Sequence, residues 1–440
     1  MHDPDVVVLG AGAAGLTAAA RAAQCGARVL LLEKNRRPGV KILISGGTRC
    51  NITNARGLRR LDAVSGPVDP AYDPSLSRGI RAIQQAFGEN GAFLAPALRS
   101  LDVDATIRMF EEAGVATKIE ANGKIFPVSD KAAHVLEALV RLLERSGATL
   151  RCLSPALSIE RSEASADQPD QFLLTVQDEI IKARRIILAV GGCSYPGSGT
   201  TGDGYSTAKH FGHTIVEPQP ALVPLKVDAD WVPTLRGLSV PDAVASVVVG
   251  TNTLEQRREA VLFTHRGLSG PAILDVSRAA TRHSASQSIT LRLDFLPNVS
   301  REDLDRQLQI TSRQGRRSLI SLLPDVLPRR LGECLLAVAA IPPDRMGPDL
   351  SRDERRRLTG ALKELSLPIA GTLGFEKAEV TSGGVSLAEV DPRTLESRLV
   401  PGLFFAGEIL DLDGVIGGYN FQAAWSTGWL AGEVAAKASS

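Results

Sequence analysis

The chain has 440 residues, 44% of them hydrophobic, and 50 basic against 49 acidic side chains. That length suits two or three domains and a core large enough to stand without disulfides or a structural metal. A net charge of +1 excludes a uniformly basic coat for nucleic acid but leaves room for a local basic patch.

The N-terminus opens on Asp5–Gly10, a continuous apolar run of the kind that forms a central parallel strand. It lacks the basic start and cleavage site of a secretory leader. Gly10-Ala-Gly12-Ala13-Ala14-Gly15 follows at once, then the alanine-rich, helix-forming Leu16–Cys25, closed by Gly26. Arg28–Glu33 is a second strand ending in an acid 23 residues after Gly10. Strand, glycine turn, helix, strand and acid in that order make a dinucleotide-binding fingerprint. Gly10 permits the tight turn, Gly12 the approach of a pyrophosphate, and Gly15 close packing of helix on strand. The helix N-terminus offers unpaired N–H groups to the phosphates. Glu33 is placed to accept from the adenosine ribose, and an acid there favours FAD or NAD over a 2′-phosphorylated ribose. A glycine turn with no ligand is the alternative.

Next comes the polar glycine loop Lys34–Asn54, in which Lys41, Gly46, Gly47, Arg49, Cys50 and Asn51 are candidates to hold phosphate and ring edges. An ordinary surface loop is the competing reading. Ala156–Glu160, Phe172–Val176 and Ile180–Ala183 form a β-meander, with Arg161–Gln171 as a polar loop. Arg185–Gly192, which closes on Gly191-Gly192, returns to the sheet as another buried strand. Gly197-Ser-Gly199-Thr-Thr-Gly202 repeats the GxGxxG spacing with Glu217 beyond it, a possible nicotinamide site, but Pro196 disrupts a direct entry from the strand.

Ala245–Val249, Ala260–Thr264 and Ile289–Phe295 are strands, the last with one wet face of Thr290, Arg292 and Asp294. Arg301–Leu365 is helical in pattern, broken at Pro324, Pro328 and Pro342-Pro343. It holds 13 basic against 10 acidic residues, a net of +3. Arg316-Arg317, Arg329-Arg330 and Arg355-Arg356-Arg357 are its basic clusters. Solvated helix faces paired with nearby acids explain them as well as RNA contact does, and few aromatics interleave for base stacking.

Gly402–Glu408 is a buried strand running into Gly407 and Glu408. Gly417-Gly418-Tyr419-Asn420 then opens the small-residue helix Ala423–Ala436. An acid after a glycine suits a ribityl chain, and the Gly417-Gly418 turn aims N–H groups at the flavin pyrimidine edge. A helix-entry turn without that role is the alternative. The five cysteines, Cys25, Cys50, Cys152, Cys193 and Cys334, include no CxxC pair, and the histidines have no HxxxH spacing. No metal site is expected, and a reducing, cytoplasmic location is.

Taken together, SGGTRCNITN (45–54), GKIFPVSDKAAHVLEAL (123–139), AVGGCSYPGSGTTGDGY (189–205), FTHRGLSGPAILDVS (263–277), TSGGVSL (381–387) and GEILDLDGVIGGYNFQAAWSTGWLAG (407–432) resemble the BaiN/RdsA family of NAD(P)/FAD-dependent flavoproteins over nearly the whole chain. Thr48 departs from the glycine common at that place in the family, and its side chain is expected to narrow the space beside the flavin. The resemblance implies an α/β fold: a two-dinucleotide-binding-type, Rossmann-like FAD domain with a β-meander, interrupted by a β-barrel-like and helical insert. The expected divisions are 1–195 and 371–440 for the FAD domain and 196–370 for the insert, strand-rich over 196–300 and helical over 301–367. The second glycine run becomes a loop near the flavin.

Residues expected at the cofactor are Gly10, Gly12, Ala13, Ala14, Gly15, Glu33, Lys34, Lys41, Gly46, Gly47, Arg49, Cys50, Asn51, Gly191, Gly407, Glu408, Gly417, Gly418, Tyr419 and Asn420. Cys50, His265 and Tyr419 are the candidate catalytic groups, each with a packing or structural role as its alternative. The resemblance further implies that NAD(P)H reduces FAD, which passes hydride to uracil C6 in 23S ribosomal RNA while an acid protonates C5. An oxidase or reductase of a small molecule such as an amino-ketone is the second reading, and a flavin-bearing binding protein the third.

Overall fold

A computed structural model describes residues 3–162, 171–283, 288–342 and 344–437. The chain divides into two units, Met1–Pro218 with Val380–Ser440, and Gln219–Glu379.

The first unit is built on a parallel sheet of β1 (Val6–Leu9), β2 (Val29–Leu32), β3 (Thr149–Arg151), β4 (Arg185–Leu188) and β5 (Leu403–Phe405), in the order β5-β4-β1-β2-β3. Val6 is in register with Val29 on one side and Arg185 on the other. The four residues of β1 are 0–6% exposed, as a central strand covered on both faces must be. Helix α1 (Ala13–Gln24) joins β1 to β2, and α2 (Tyr419–Lys437) ends the described chain.

These two helices touch backbone to backbone. A Cβ at Gly428 would lie 2.3 Å from the Ala14 carbonyl oxygen, and one at Gly432 2.3 Å from that of Ala18. Two glycines four residues apart on α2 thus face alanines four apart on α1, the spacing of one helical face. Arg21 closes the far end by donating to Glu433 at 2.8 Å and stacking 4.5 Å from the Trp429 ring centre.

The expected β-meander is present as Ala156–Ser162, Gln171–Val176 and Glu179–Ala183. Within its first connection, residues 163–170 lie outside the described residues. A small antiparallel sheet of Thr53–Asn54, Lys124–Pro127 and Thr117–Ile119 has strands too short to give a readable alternation. The units divide at 218/219 and 379/380, later than the expected 195/196 and 370/371. Helix Asp203–His210 buries Tyr205 and Ala208 in the first unit's core, and strand Ile215–Ala221 pairs with Val380–Val385.

The second unit holds a closed six-stranded barrel. Its spatial order is Leu225–Val227, Gly267–Ser269, Asn252–Thr264, Ser239–Val249, Ile289–Asp294 and Leu365–Thr372. The alternation read over Ile289–Phe295 is observed: Leu291 and Leu293 are 0% exposed, while Thr290, Arg292 and Asp294 are only half-buried. Helix Pro271–His283, not expected from the sequence, packs Ile273, Val276 and Ala280 into the barrel core. The helical stretch resolves into Arg301–Thr311, Arg329–Val338 and Arg352–Lys363, and Pro328 is the N-cap of the second. It stops at Lys363 rather than 367. Leu365 and Leu367 alternate with Ser366 and Pro368, so this segment joins the barrel as a strand. Pro343 lies outside the described residues. Among those residues no helix is long and apolar enough to cross a membrane.

Candidate functional site

The glycine turn between β1 and α1 has the geometry its spacing requires. Gly10 adopts φ +93°, and a Cβ there would lie 2.7 Å from the Ala189 carbonyl oxygen. A Cβ on Gly15 would sit 1.8 Å from the Gly10 carbonyl oxygen, so only glycine lets α1 pack this tightly. Gly12, the N-cap of α1, has open space beside it and no side-chain cap. The uncapped first turn, carrying Ala13 and Ala14, has the geometry of a helix terminus that could hold an anion.

Glu33, at the end of β2, is buried. Its Oε2 accepts from the Ala11 N–H at 2.7 Å and its Oε1 from the Asn35 N–H at 2.8 Å. This carboxylate braces the glycine turn as well as standing where a ribose is expected, and each oxygen keeps acceptor capacity for a hydroxyl. Lys34 turns elsewhere, to Asp203 and to the Thr201 hydroxyl at 2.7 Å. Asn35 donates to the Ser198 carbonyl at 3.1 Å. The second glycine run is thus not a second strand–turn–helix site. Seven residues separate β4 from the short turn Pro196–Ser198, and the run folds back onto the segment after β2. Gly191 (φ +75°) starts that detour, with Thr200 packed where its Cβ would be.

The C-terminal motif converges on the same turn. Gly407 takes φ +76° with its missing Cβ facing Ala14 at 2.8 Å, and its N–H donates to Thr427 at 3.0 Å. Beside it, Lys41 donates to Glu408 Oε2 and to the Ser194 hydroxyl, each at 2.6 Å. Glu408 Oε1 accepts from the Ser194 hydroxyl and from the Thr381 N–H at 2.9 Å. The Cys193 and Ser194 N–H groups in turn donate to Thr381 Oγ1 at 2.8 and 3.0 Å. Lys41 and Glu408, 367 positions apart in sequence, form one partly buried charge-assisted cluster with Ser194 and Thr381. Sequence reasoning missed Ser194 and Thr381 as site residues, although both fall in stretches that carry the family resemblance.

The loop 46–54 is locked to the opening of α2. Asn54 Nδ2 donates to the Gly417 carbonyl at 2.9 Å, Thr53 Oγ1 to Gln422 at 2.6 Å, and Trp425 Nε1 to the Ile52 carbonyl at 2.9 Å. Gly417 and Gly418 have φ +130° and +93°, and a Cβ on Gly418 would meet the Thr53 carbonyl oxygen at 2.5 Å. Asn420 exchanges two hydrogen bonds with the Gly414 backbone and so shapes the turn. Tyr419 is buried, its ring edge against Gly417. Among the described residues Asn51 Oδ1 is buried without a hydrogen-bond partner, 2.9 Å from where a Gly418 Cβ would stand. A buried carbonyl oxygen left open costs stability unless a ligand donor meets it.

Gly46, Gly47, Thr48 and Cys50 all have left-handed backbone, with φ of 55°, 68°, 69° and 59°. Arg49 is held by Glu120 at 2.6 Å and lies 3.9 Å from the Phe126 ring centre. Cys50 is 0% exposed, and burial pushes its thiol up to about 12, so it remains a neutral packing group. His265 belongs to the second unit, in the exposed turn between Asn252–Thr264 and Gly267–Ser269. Among the described residues no cluster of His, Cys, Asp or Glu has metal-binding geometry. A cleft of about 320 Å³ lined by Leu16, Met109, Leu139 and Trp429, among others, includes none of the glycine-turn residues.

An uncapped phosphate turn with open space at Gly12, an acid after β2, a second glycine–acid pair and an orphaned buried acceptor at the α2 turn all fit FAD. They define the class of the protein: an FAD-dependent oxidoreductase on a Rossmann-type domain. The chain belongs to the HI0933-like family, whose Rossmann-domain model matches residues 4–65 and 76–434. It is 35% identical over 439 residues to the ribosomal RNA dihydrouridine synthase of Escherichia coli (strain K12), covering 99% of each chain. It is 32% identical over 434 residues to the 3-dehydro-bile acid delta(4,6)-reductase of Clostridium scindens, covering 98% of each. With the ribosomal RNA dihydrouridine synthase of Haemophilus influenzae it shares 31% over 425 residues, 96% of each. The BaiN/RdsA resemblance read from the sequence is thereby borne out.

Proposed function

We propose that this protein reduces uridine to dihydrouridine in large-subunit ribosomal RNA, with NAD(P)H as electron donor and the cytoplasm as its place of action. The net reaction consumes NAD(P)H and a proton and saturates the uracil 5,6 bond. The observation that carries this reading is near-complete alignment, at 35% and 31% identity, with two proteins of that name. Bound FAD supplies the two-electron chemistry. The chain's own part is to hold it. The α1 N-terminus and the Gly10–Gly15 turn take the pyrophosphate, Glu33 the adenosine ribose, and Glu408 with Lys41 the sugar chain on the flavin side. Gly417, Gly418 and Asn51 meet the ring edge. In the same scheme Cys50 packs beneath the loop and does not donate the proton.

A second reading, reduction of a small unsaturated ketone, is favoured by the bile-acid reductase at 32% identity. The two are separated by incubating purified holoprotein with NADPH or NADH and ribosomal RNA lacking dihydrouridine, followed by nucleoside mass spectrometry. Dihydrouridine formation supports the RNA reading. Its absence, with rapid NAD(P)H oxidation on a steroid dienone or oxygen consumption on an amino-ketone, supports the small-molecule reading.

A further inference from the structure

The arginine clusters that drew attention in the sequence are largely engaged within their own unit. Arg355 donates to Asp305 at 2.7 Å, Arg329 to Glu333 at 3.1 Å, Arg357 to the Ala339 carbonyl at 2.7 Å, and Arg330 to the Thr234 carbonyl. A different group of arginines, in the first unit, is not. Arg56, Arg78 and Arg81 are exposed and have no carboxylate or carbonyl partner for their side chains among the described residues. Arg59 stands with them, tethered to Asp102 at 2.9 Å while 60% of its side chain remains exposed.

The backbone brings Arg56, Arg59 and Arg78 together, and Arg81 follows three residues after Arg78 in the first turn of the helix Ile80–Gln85. The Arg78 N–H donates to the Arg56 carbonyl at 2.8 Å, and the Arg59 side chain passes 3.9 Å from the Cβ position of Gly79. The platform beneath is firm, because Gly57 lets the turn sit directly on Ile83 and Val103, which are 0% and 1% exposed. The patch is also continuous with the cofactor loop. Asn54 accepts from the Arg56 N–H through Oδ1 at 3.0 Å and donates to the Gly417 carbonyl through Nδ2 at 2.9 Å. One asparagine therefore links the flavin-side glycine turn to the first arginine.

Four guanidinium groups on a rigid surface, mostly without acid partners, form a polyanion site, and their fork geometry matches phosphate oxygens. We infer that Arg56, Arg59, Arg78 and Arg81 grip the RNA phosphate backbone beside the reacting base. The inference rests on the RNA substrate proposed above and locates its docking surface in the first unit rather than on the basic clusters of the second.

The test is binding of fluorescein-labelled oligouridylate and of ribosomal RNA to the FAD-loaded protein across a salt series, with flavin content as the check on folding. R56A/R81A is expected to bind roughly tenfold more weakly, with the log–log salt slope reduced by about 1.4, near 0.7 for each lost phosphate contact. R56K/R81K is expected to recover most of that slope, and R316A/R317A to change little. Wild-type affinity and slope in R56A/R81A, or no RNA binding by the wild type, would overturn the patch. Dihydrouridine formation by a protein whose patch variants bind normally would leave the substrate reading standing and sink the patch alone. Weakened binding in R56A/R81A without dihydrouridine formation by the wild type would support the patch and sink the substrate reading.

Discussion

Thr48 carries a β-branched side chain in left-handed backbone, which costs of order 1–3 kcal/mol in most settings. Its hydroxyl donates to the Gly47 carbonyl at 2.6 Å and recovers part of that. Thr48→Gly is therefore expected to raise the unfolding free energy by about 1 kcal/mol in a urea titration. A loss would mean that the hydroxyl bond outweighs the strain. Two other residues carry the cofactor argument. Glu33→Ala removes the acceptor of the Ala11 and Asn35 N–H groups, and Glu408→Ala leaves Lys41 without its carboxylate. Hydrogen bonds to charged groups contribute about 1.5–3 kcal/mol each, so each variant should retain FAD about tenfold less tightly, read from the flavin absorbance of the dialysed protein. Full flavin occupancy in both would contradict a site built from the two chain ends. Both acids were legible from their place after a strand. Ser194 and Thr381 were not, because a hydroxyl acquires its role only when distant segments meet.

Helix α2 depends on contact with α1 at the scale of whole elements. Gly428→Val would drive a branched side chain into the Ala14 backbone, where even a Cβ has only 2.3 Å. Overpacking against immovable backbone costs 1–3 kcal/mol or more, so a fall of several degrees in melting temperature is expected, together with flavin loss. A second junction lies at the turn after Asp203–His210. His213 is buried, shares a hydrogen bond with Ser397 at 2.8 Å, and packs edge-on to Phe405 with ring centres 4.7 Å apart. Burial holds its imidazole below the ordinary 6.5, against the opposing pull of Glu389.

The native state therefore takes up this proton at lower pH than the unfolded chain does. Stability from this junction is fully present above about pH 6.5 and falls as pH drops below it. Melting curves from pH 7.5 to 5 should decline for the wild type and flatten in His213→Gln; equal slopes would exclude His213 as the titrating group. Elements with strong local patterns, β1, α1, the meander and the Ile289–Asp294 strand, were readable directly. The barrel strand at Leu365–Thr372 was overrun by the helical pattern before it. The two- to four-residue strands around Thr53–Asn54 owe their existence to tertiary pairing alone.

In the whole molecule, a near-neutral sequence contains an uneven charge distribution. The basic residues of the helical insert mostly meet local partners, while the arginines around the Asn54 turn remain open to solvent. The fold was legible because both chain ends carry compact, ordered motifs, and β1 and β5, on either side of β4, bring the Gly407–Glu408 turn against the Gly10–Gly15 turn, with Gly407 facing Ala14. The arginine surface proposed for RNA was not legible, since sequence clustering of arginines does not reveal which of them have partners. The central claim, an FAD-dependent reductase of ribosomal RNA, is tested most directly in an Escherichia coli strain lacking its own ribosomal RNA dihydrouridine synthase. Expression of this chain should restore dihydrouridine in large-subunit RNA, and Glu408→Ala should restore far less. Abundant, flavin-loaded wild-type protein that leaves the RNA unmodified would contradict the account.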